Sequence, residues 1–174
     1  MPNKLEILYS CMLDEERKFP EKPLLVHSDL LVVDADLNII SNSFWEYSNI
    51  NIAQHDFNFL GVKNYVTGCA MMINRLAVDC ALPFLPETRM HDAWIALNVL
   101  KNGGEIKSLS QPTIMYRQHA NNVVGAIEQK NVFKEKIVQI QSVVQENQLL
   151  RRFVYKDSLN YLVEKQRFHC FHPQ

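Results

Sequence analysis

The chain lacks any apolar run approaching the ~20 residues that span a bilayer. Its first six residues, Met-Pro-Asn-Lys-Leu-Glu, are not the hydrophobic stretch of a secretory signal. An excess of positive charge is missing as well: 18 Lys and Arg stand against 19 Asp and Glu, a formal net charge of −1. A general nucleic-acid binder needs a basic surplus to neutralise phosphates, so that class of partner is set aside. Paired cysteines are absent too. Cys11, Cys69, Cys80 and Cys170 are scattered singly with no C-x-x-C spacing, and three of them lie in apolar segments that read as buried thiols in a reducing compartment. No internal repeat, low-complexity tract or linker interrupts the chain. These absences point to a cytoplasmic protein and leave contact with the inner face of a membrane open. What is present is ordinary globular composition, 47% apolar and 21% charged over 174 residues, which suits one domain.

The apolar pattern gives an α/β chain. Leu5, Leu8, Met12 and Leu13 form a helical stripe over residues 3–17, with Pro2 suited to the first turn and Pro20 and Pro23 beyond its end. Residues 24–34 form a strongly β-favouring run, and 34–38 read as the turn into a return strand at Ile39-Ile40. Residues 41–63 are irregular with scattered aromatics, which is long for a structureless connection. A strand interrupted by Gly68 is expected over 65–73, then a short helix over 74–82. A helix over 93–102 closes on Gly103-Gly104 in the manner of a glycine cap. Short strands at 105–109 and 113–118 flank Pro112. Two amphipathic helices follow, a long one over 126–147 and a shorter one over 149–164.

Two polar clusters sit at the edges of apolar segments. In the first, Met90-His91-Asp92-Ala93-Trp94, a carboxylate lies at a helix start, where backbone N–H groups and the helix dipole favour its charged form. An aromatic one step away suits stacking on a sugar ring, and such an Asp suits a general base acting on a sugar hydroxyl. The plain alternative is that Asp92 only caps the helix and Trp94 is only core. In the second, Tyr116-Arg117-Gln118-His119-Ala120-Asn121-Asn122, Arg117 is a phosphate ligand by chemistry and His119 can bind a divalent metal or a phosphate oxygen. The alternative is an exposed strand end followed by a polar turn. Thr67-Gly68-Cys69 marks either a close approach or a simple bulge. Asp34-Ala35-Asp36 has the look of a D-x-D metal site, but turn chemistry explains the same residues. His27-Ser28-Asp29 either faces a cleft or satisfies itself in the core. His169-Cys170-Phe171-His172 has metal-ligand spacing but lies at a terminus, where fraying is usual.

In this order, the strings resemble the C-terminal half of family 2 glycosyltransferases, in particular the bacterial rhamnosyltransferase-like branch. They are Pro2-Asn3-Lys4-Leu5-Glu6, His27-Ser28-Asp29-Leu30 with Val33-Asp34 and Leu37-Asn38, then the stretch from Val66-Thr67-Gly68-Cys69 to Asn74-Arg75. Met90-His91-Asp92-x-Trp94 and the run from Tyr116 to Gly125 complete the series. The resemblance covers about residues 2–126 and implies a partial GT-A fold: a mixed sheet with flanking helices, residues 1–126 as the acceptor-binding half and 127–174 as a helical extension packed on it. It also implies inverting transfer of a sugar from a nucleoside diphosphate to a glycan or lipid-linked hydroxyl in cell-surface polysaccharide synthesis.

On that resemblance Asp92 falls at the family's catalytic base. Thr67, Gly68, His91 and Asn122 fall at the substrate site, Trp94 at the acceptor wall, and Arg117 at the donor diphosphate region. His119 falls where a divalent Mg or Mn ion is met. The family's nucleotide-binding strands and principal metal-binding D-x-D precede the first matching string, so the chain is expected to be a fragment that binds nucleotide sugar poorly by itself. An exposed sheet edge in such a fragment implies a homo-oligomer. Two other readings compete. One is a non-catalytic module that binds glycan or protein. The other is a metal-dependent hydrolase using Asp34, Asp36 and His119.

Overall fold

The computed structural model describes residues 1–50, 52, 60, 64–86, 88 and 90–118. The chain divides into two units, Met1–Glu128 and Gln129–Gln174. The expected C-terminal helices, with Cys170 and the His169–His172 cluster, lie outside the described residues, as do His119 and Asn122.

Within the described residues the architecture is α/β with a mixed four-stranded sheet. Helix α1 spans Lys4–Lys18. Strand β1, Leu24–Val33, is the centre of the sheet, and nine of its ten residues are buried. Strand β4, Glu105–Arg117, runs parallel along one side of it. On the other side β3, Met71–Ile73, pairs antiparallel with residues 25–27, and β2, Ile39–Ser41, pairs antiparallel with Val32 and Val33. A strand flanked on both sides and covered by helices has no solvent face. That is why its sequence is a nearly continuous apolar run and not an alternating one. The parallel pairing requires a long crossover. Helices α2 (Phe44–Tyr47), α3 (Arg75–Ala81) and α4 (His91–Lys101) lie on that path.

Alternate residues of β1 organise two core clusters. Leu24 and Val26 pack with Leu8 and Met12 of α1. Leu30 and Val32 pack with Phe44, Trp45 and Ala70. Burying each such side chain contributes on the order of 1.5–3 kcal/mol.

The polar residues of β1 make bonds inside the fold. Ser28 Oγ and Thr113 Oγ1 lie 2.6 Å apart, and Ser108 Oγ lies 2.6 Å from His27 Nε2. Asp29 is buried and works as a four-way acceptor. Its Oδ1 accepts from the backbone N–H groups of Leu30 (2.7 Å), Phe44 (3.0 Å) and Trp45 (3.2 Å), and its Oδ2 accepts from the Ser43 hydroxyl. The cleft alternative for His27-Ser28-Asp29 therefore gives way to an internal one: these groups tie β4 and α2 to the central strand.

Three sequence expectations change shape. The two short strands around Pro112 are one strand. The ladder pairs Ser28 with Leu109 and then Leu30 with Ile114, so Pro112 sits in a bulge where no ladder N–H is needed. The strand expected over 65–73 is formed only at 71–73, because residues Gly68–Ala70 close a 3-10 turn first. Cys69, expected to be buried, is exposed, because Ala70 takes the inward position on that turn. Cys11 and Cys80 are half-buried, and burial pushes both thiols above the usual range.

The hairpin turn is as expected. Asp34 Oδ1 accepts from the backbone N–H groups of Asp36 (2.9 Å) and Asn38 (2.8 Å), and Oδ2 accepts from Asn38 Nδ2 (3.0 Å). These bonds, those of Asn38 first, hold the Asp34 carboxyl below the usual carboxylate range. Among the described residues no helix is long and apolar enough to cross a membrane.

Candidate functional site

The site is built where the 3-10 turn meets the start of α4. The turn begins at Thr67, whose carbonyl accepts from Ala70 N–H at 2.9 Å. Helix α4 begins at His91, with Met90 as a cap residue that offers no side-chain acceptor. Asp92 is therefore inside the first turn and not the cap itself. Its carboxylate accepts three N–H bonds from two segments. Oδ1 takes the backbone of Ala93 (2.7 Å) and Asn64 Nδ2 (3.1 Å), while Oδ2 takes the backbone of Gly68 (3.0 Å). The helix N-terminus adds its own partial positive charge.

Gly68 explains how the two segments come so close. A methyl group at this position would lie 2.4 Å from His91 Nε2 and 3.4 Å from Asp92 Cβ. Only a residue with no side chain lets the turn's backbone N–H reach the carboxylate while His91 stays in place. The glycine thus marks a close approach between backbone and side chains, one of the two meanings its position in the sequence allowed.

Around this centre stand further ionisable groups. Lys4 Nζ, from the start of α1, donates to the Cys69 carbonyl at 2.6 Å. Cys69 is exposed as a residue, but partial desolvation pushes its thiol up; the Lys4 ammonium pulls it down and Asp92 adds a smaller upward push. Burial also raises the Tyr116 phenol, with Cys69 contributing. Tyr116 and Arg117 are the last two residues of β4, paired with Val32 and Val33 of β1. The end of β4, the 3-10 turn, the start of α1 and the start of α4 thus converge on Cys69.

Of the residues expected at a site, Thr67, Gly68, His91 and Asp92 come together. His91 is exposed, and Thr67, Gly68 and Asp92 are half-buried. Arg117 is exposed at the end of β4. Trp94 belongs elsewhere. Its side chain is buried, and Nε1 donates to the Ala81 carbonyl at 2.7 Å, locking α4 to α3. The acceptor wall expected of it is replaced by a structural role. Two residues along a helix is about 200° of rotation, so Trp94 points away from the face that Asp92 occupies.

No three His, Cys, Asp or Glu side chains among the described residues come together as a metal-ligand set. Asp34 instead makes three hydrogen bonds within its own turn, as the turn reading of Asp34-Ala35-Asp36 expects. Sequence reasoning missed Asn64 and the side-chain role of Lys4. Lys4 lies in a matching string, but no spacing connects it to Cys69 across 65 positions. In comparison with known proteins, the chain matches no protein-family model, no curated protein and no solved structure.

Proposed function

We propose that this chain is the acceptor half of an inverting sugar transferase of the family 2, GT-A type, and that Asp92 is its general base. One observation carries the reading: the Asp92 carboxylate is held in place by three N–H donors and keeps an acceptor position open on Oδ2 among the described residues. A carboxylate offers about four such positions. Two on Oδ1 and one on Oδ2 are filled, and a sugar hydroxyl donates to the fourth. As that hydroxyl oxygen attacks the anomeric carbon of the donor, a C–O bond forms on one face. The bond to the nucleoside diphosphate breaks on the other, the diphosphate leaves with the electron pair, and the proton passes to Oδ2.

Thr67, Gly68 and His91 flank the acceptor in this reading, and the Arg117 guanidinium suits a phosphate. His119 joins the donor region and Asn122 the substrate site on the strength of the resemblance alone. A Mg or Mn ion, when bound, would neutralise the charge on the leaving diphosphate. The proton transfer uses only this chain's own carboxylate.

A second reading, a module that binds glycan or protein without chemistry, is favoured by one fact. Two of the three bonds that Asp92 accepts also tie residues 64–68 to α4. The two readings part on acceptor titration followed at the Gly68 amide by NMR. Addition of an oligosaccharide acceptor is expected to shift that amide in the native chain, and Asp92→Asn is expected to abolish the shift. Glycan binding that survives in Asp92→Asn, together with no sugar transfer by the native chain when a nucleotide-binding half is supplied, would sink the transferase reading and leave the binding module.

A further inference from the structure

Asn64 grips the proposed base in a manner that no motif announced. Its side-chain amide is pinned from both ends. Oδ1 accepts from Val66 N–H at 3.0 Å, and Nδ2 donates to the Val66 carbonyl at 3.0 Å, so the amide pairs with residue 66 as a neighbouring strand would. The second hydrogen of Nδ2 goes to Asp92 Oδ1 at 3.1 Å. The pairing with Val66 dictates which way the amide faces. Turned over, it would set its carbonyl against the carboxylate and its NH2 against the Val66 N–H. The segment therefore holds both carboxylate oxygens, one through the Asn64 side chain and the other through the Gly68 backbone.

We propose that Asn64 is a positioning residue for Asp92: its pinned amide fixes the rotation of the carboxylate so that the open side of Oδ2 faces the acceptor hydroxyl. The inference rests on Asp92 being the base. No other side chain meets the three demands at once. Alanine supplies no donor. Aspartate replaces the donor with a second negative charge. Glutamine is one methylene too long to keep the pairing with Val66. The other titratable groups facing this carboxylate are His91 beside it on α4, Cys69 on the 3-10 turn, and beyond Cys69 the Lys4 ammonium and the Tyr116 phenol. A charge introduced at position 64 would be closer to Asp92 Oδ1 than any group bridged through Cys69.

The test follows the Asp92 carboxyl carbon by NMR during a pH titration of the full chain, in native, Asn64→Asp and Asn64→Ala forms. A like charge disfavours the ionised form and a lost donor does so more weakly. The Asp92 midpoint is therefore expected to rise by about one pH unit in Asn64→Asp and by less in Asn64→Ala. Transfer activity, measured with a nucleotide-binding half supplied in trans, is expected to lose about tenfold in kcat in Asn64→Ala with KM unchanged, as small misplacements of a reacting group do. A bystander that merely stabilised the loop would leave kcat at the native value, whatever a charge at position 64 does to the midpoint. If Asn64→Asp fails to fold, Asn64→Ala carries the test alone. An unmoved kcat in Asn64→Ala, with Asp92→Asn inactive, would overturn the role of Asn64 and leave the base reading intact. Full transfer by Asp92→Asn would overturn the base reading and this inference with it.

Discussion

Gly68 and Asp34 show how much single residues decide here. An alanine at 68 would press on the outer end of the exposed His91 ring, which can swing aside. Gly68→Ala is thus expected to leave thermal stability within about 1 kcal/mol of native, the range of a mild overpacking. Its acceptor affinity should nevertheless fall, because His91 has left its place; a melt paired with an acceptor titration checks both halves of that statement.

Asp34 gives a pH signature. Its folded carboxyl titrates below the ordinary value, so the turn's contribution is complete above the unfolded value and disappears as pH falls through the lowered folded one. An NMR titration of the Asp34 carboxyl should show the depressed midpoint, and Asn38→Ala, which removes the first cause, should bring it back toward the ordinary carboxylate range. The positions of Asp92 near a helix start and of Gly68 inside a strand pattern are open to inspection in sequence, since each has few physical explanations. Asn64 is not, because its task is defined by a contact 28 positions away. The place of Trp94 is hidden in sequence for the opposite reason: it lies two residues from an acid, but helical geometry turns its ring inward, where its N–H bonds the Ala81 carbonyl.

At the scale of elements, the central strand is held by buried polar bonds as much as by apolar contacts. Asp29 fastens the four-residue helix α2 to β1. Asn74 fastens α3: its Oδ1 accepts from Ala77 N–H (2.9 Å) and Leu24 N–H (3.0 Å), while Nδ2 donates to the Lys22 carbonyl (3.0 Å). Asp29→Ala would leave three backbone N–H groups and a hydroxyl without their acceptor. An unsatisfied buried donor costs about 1–3 kcal/mol, and with partial relaxation the loss should be about 3 kcal/mol or more in urea unfolding. A loss under 1 kcal/mol would mean that α2 is not fastened this way.

The chain's return to β4 depends on Gly104, where a methyl would lie 2.2 Å from the Pro23 carbonyl and 2.7 Å from that of Val99. The element boundaries were legible where apolar periodicity is strong, at α1, β1 and the glycine-closed α4. They were not legible around Pro112, since one strand with a proline in a bulge is told from two short strands only by the pairing register.

For the whole molecule, the mixed sheet and its helices form the α/β class that the apolar pattern implied, and the GT-A assignment belongs with the proposal. The outer side of β4 pairs with no strand among the described residues. Lys107, Pro112 and the central bulge along it are devices that discourage open-ended strand pairing. Any homo-oligomer built on this edge should accordingly be closed and small, and sedimentation velocity over a range of concentrations is expected to show no ladder of growing species.

The chemistry proposed for the molecule comes down to one proton. Its most direct test is the rate of sugar transfer from a nucleoside-diphosphate donor, measured on the chain supplied with a nucleotide-binding half, for native protein against Asp92→Asn of verified fold. Removing a general base is expected to lower kcat by about 10²–10⁴-fold. Transfer by Asp92→Asn at the native rate would contradict the account.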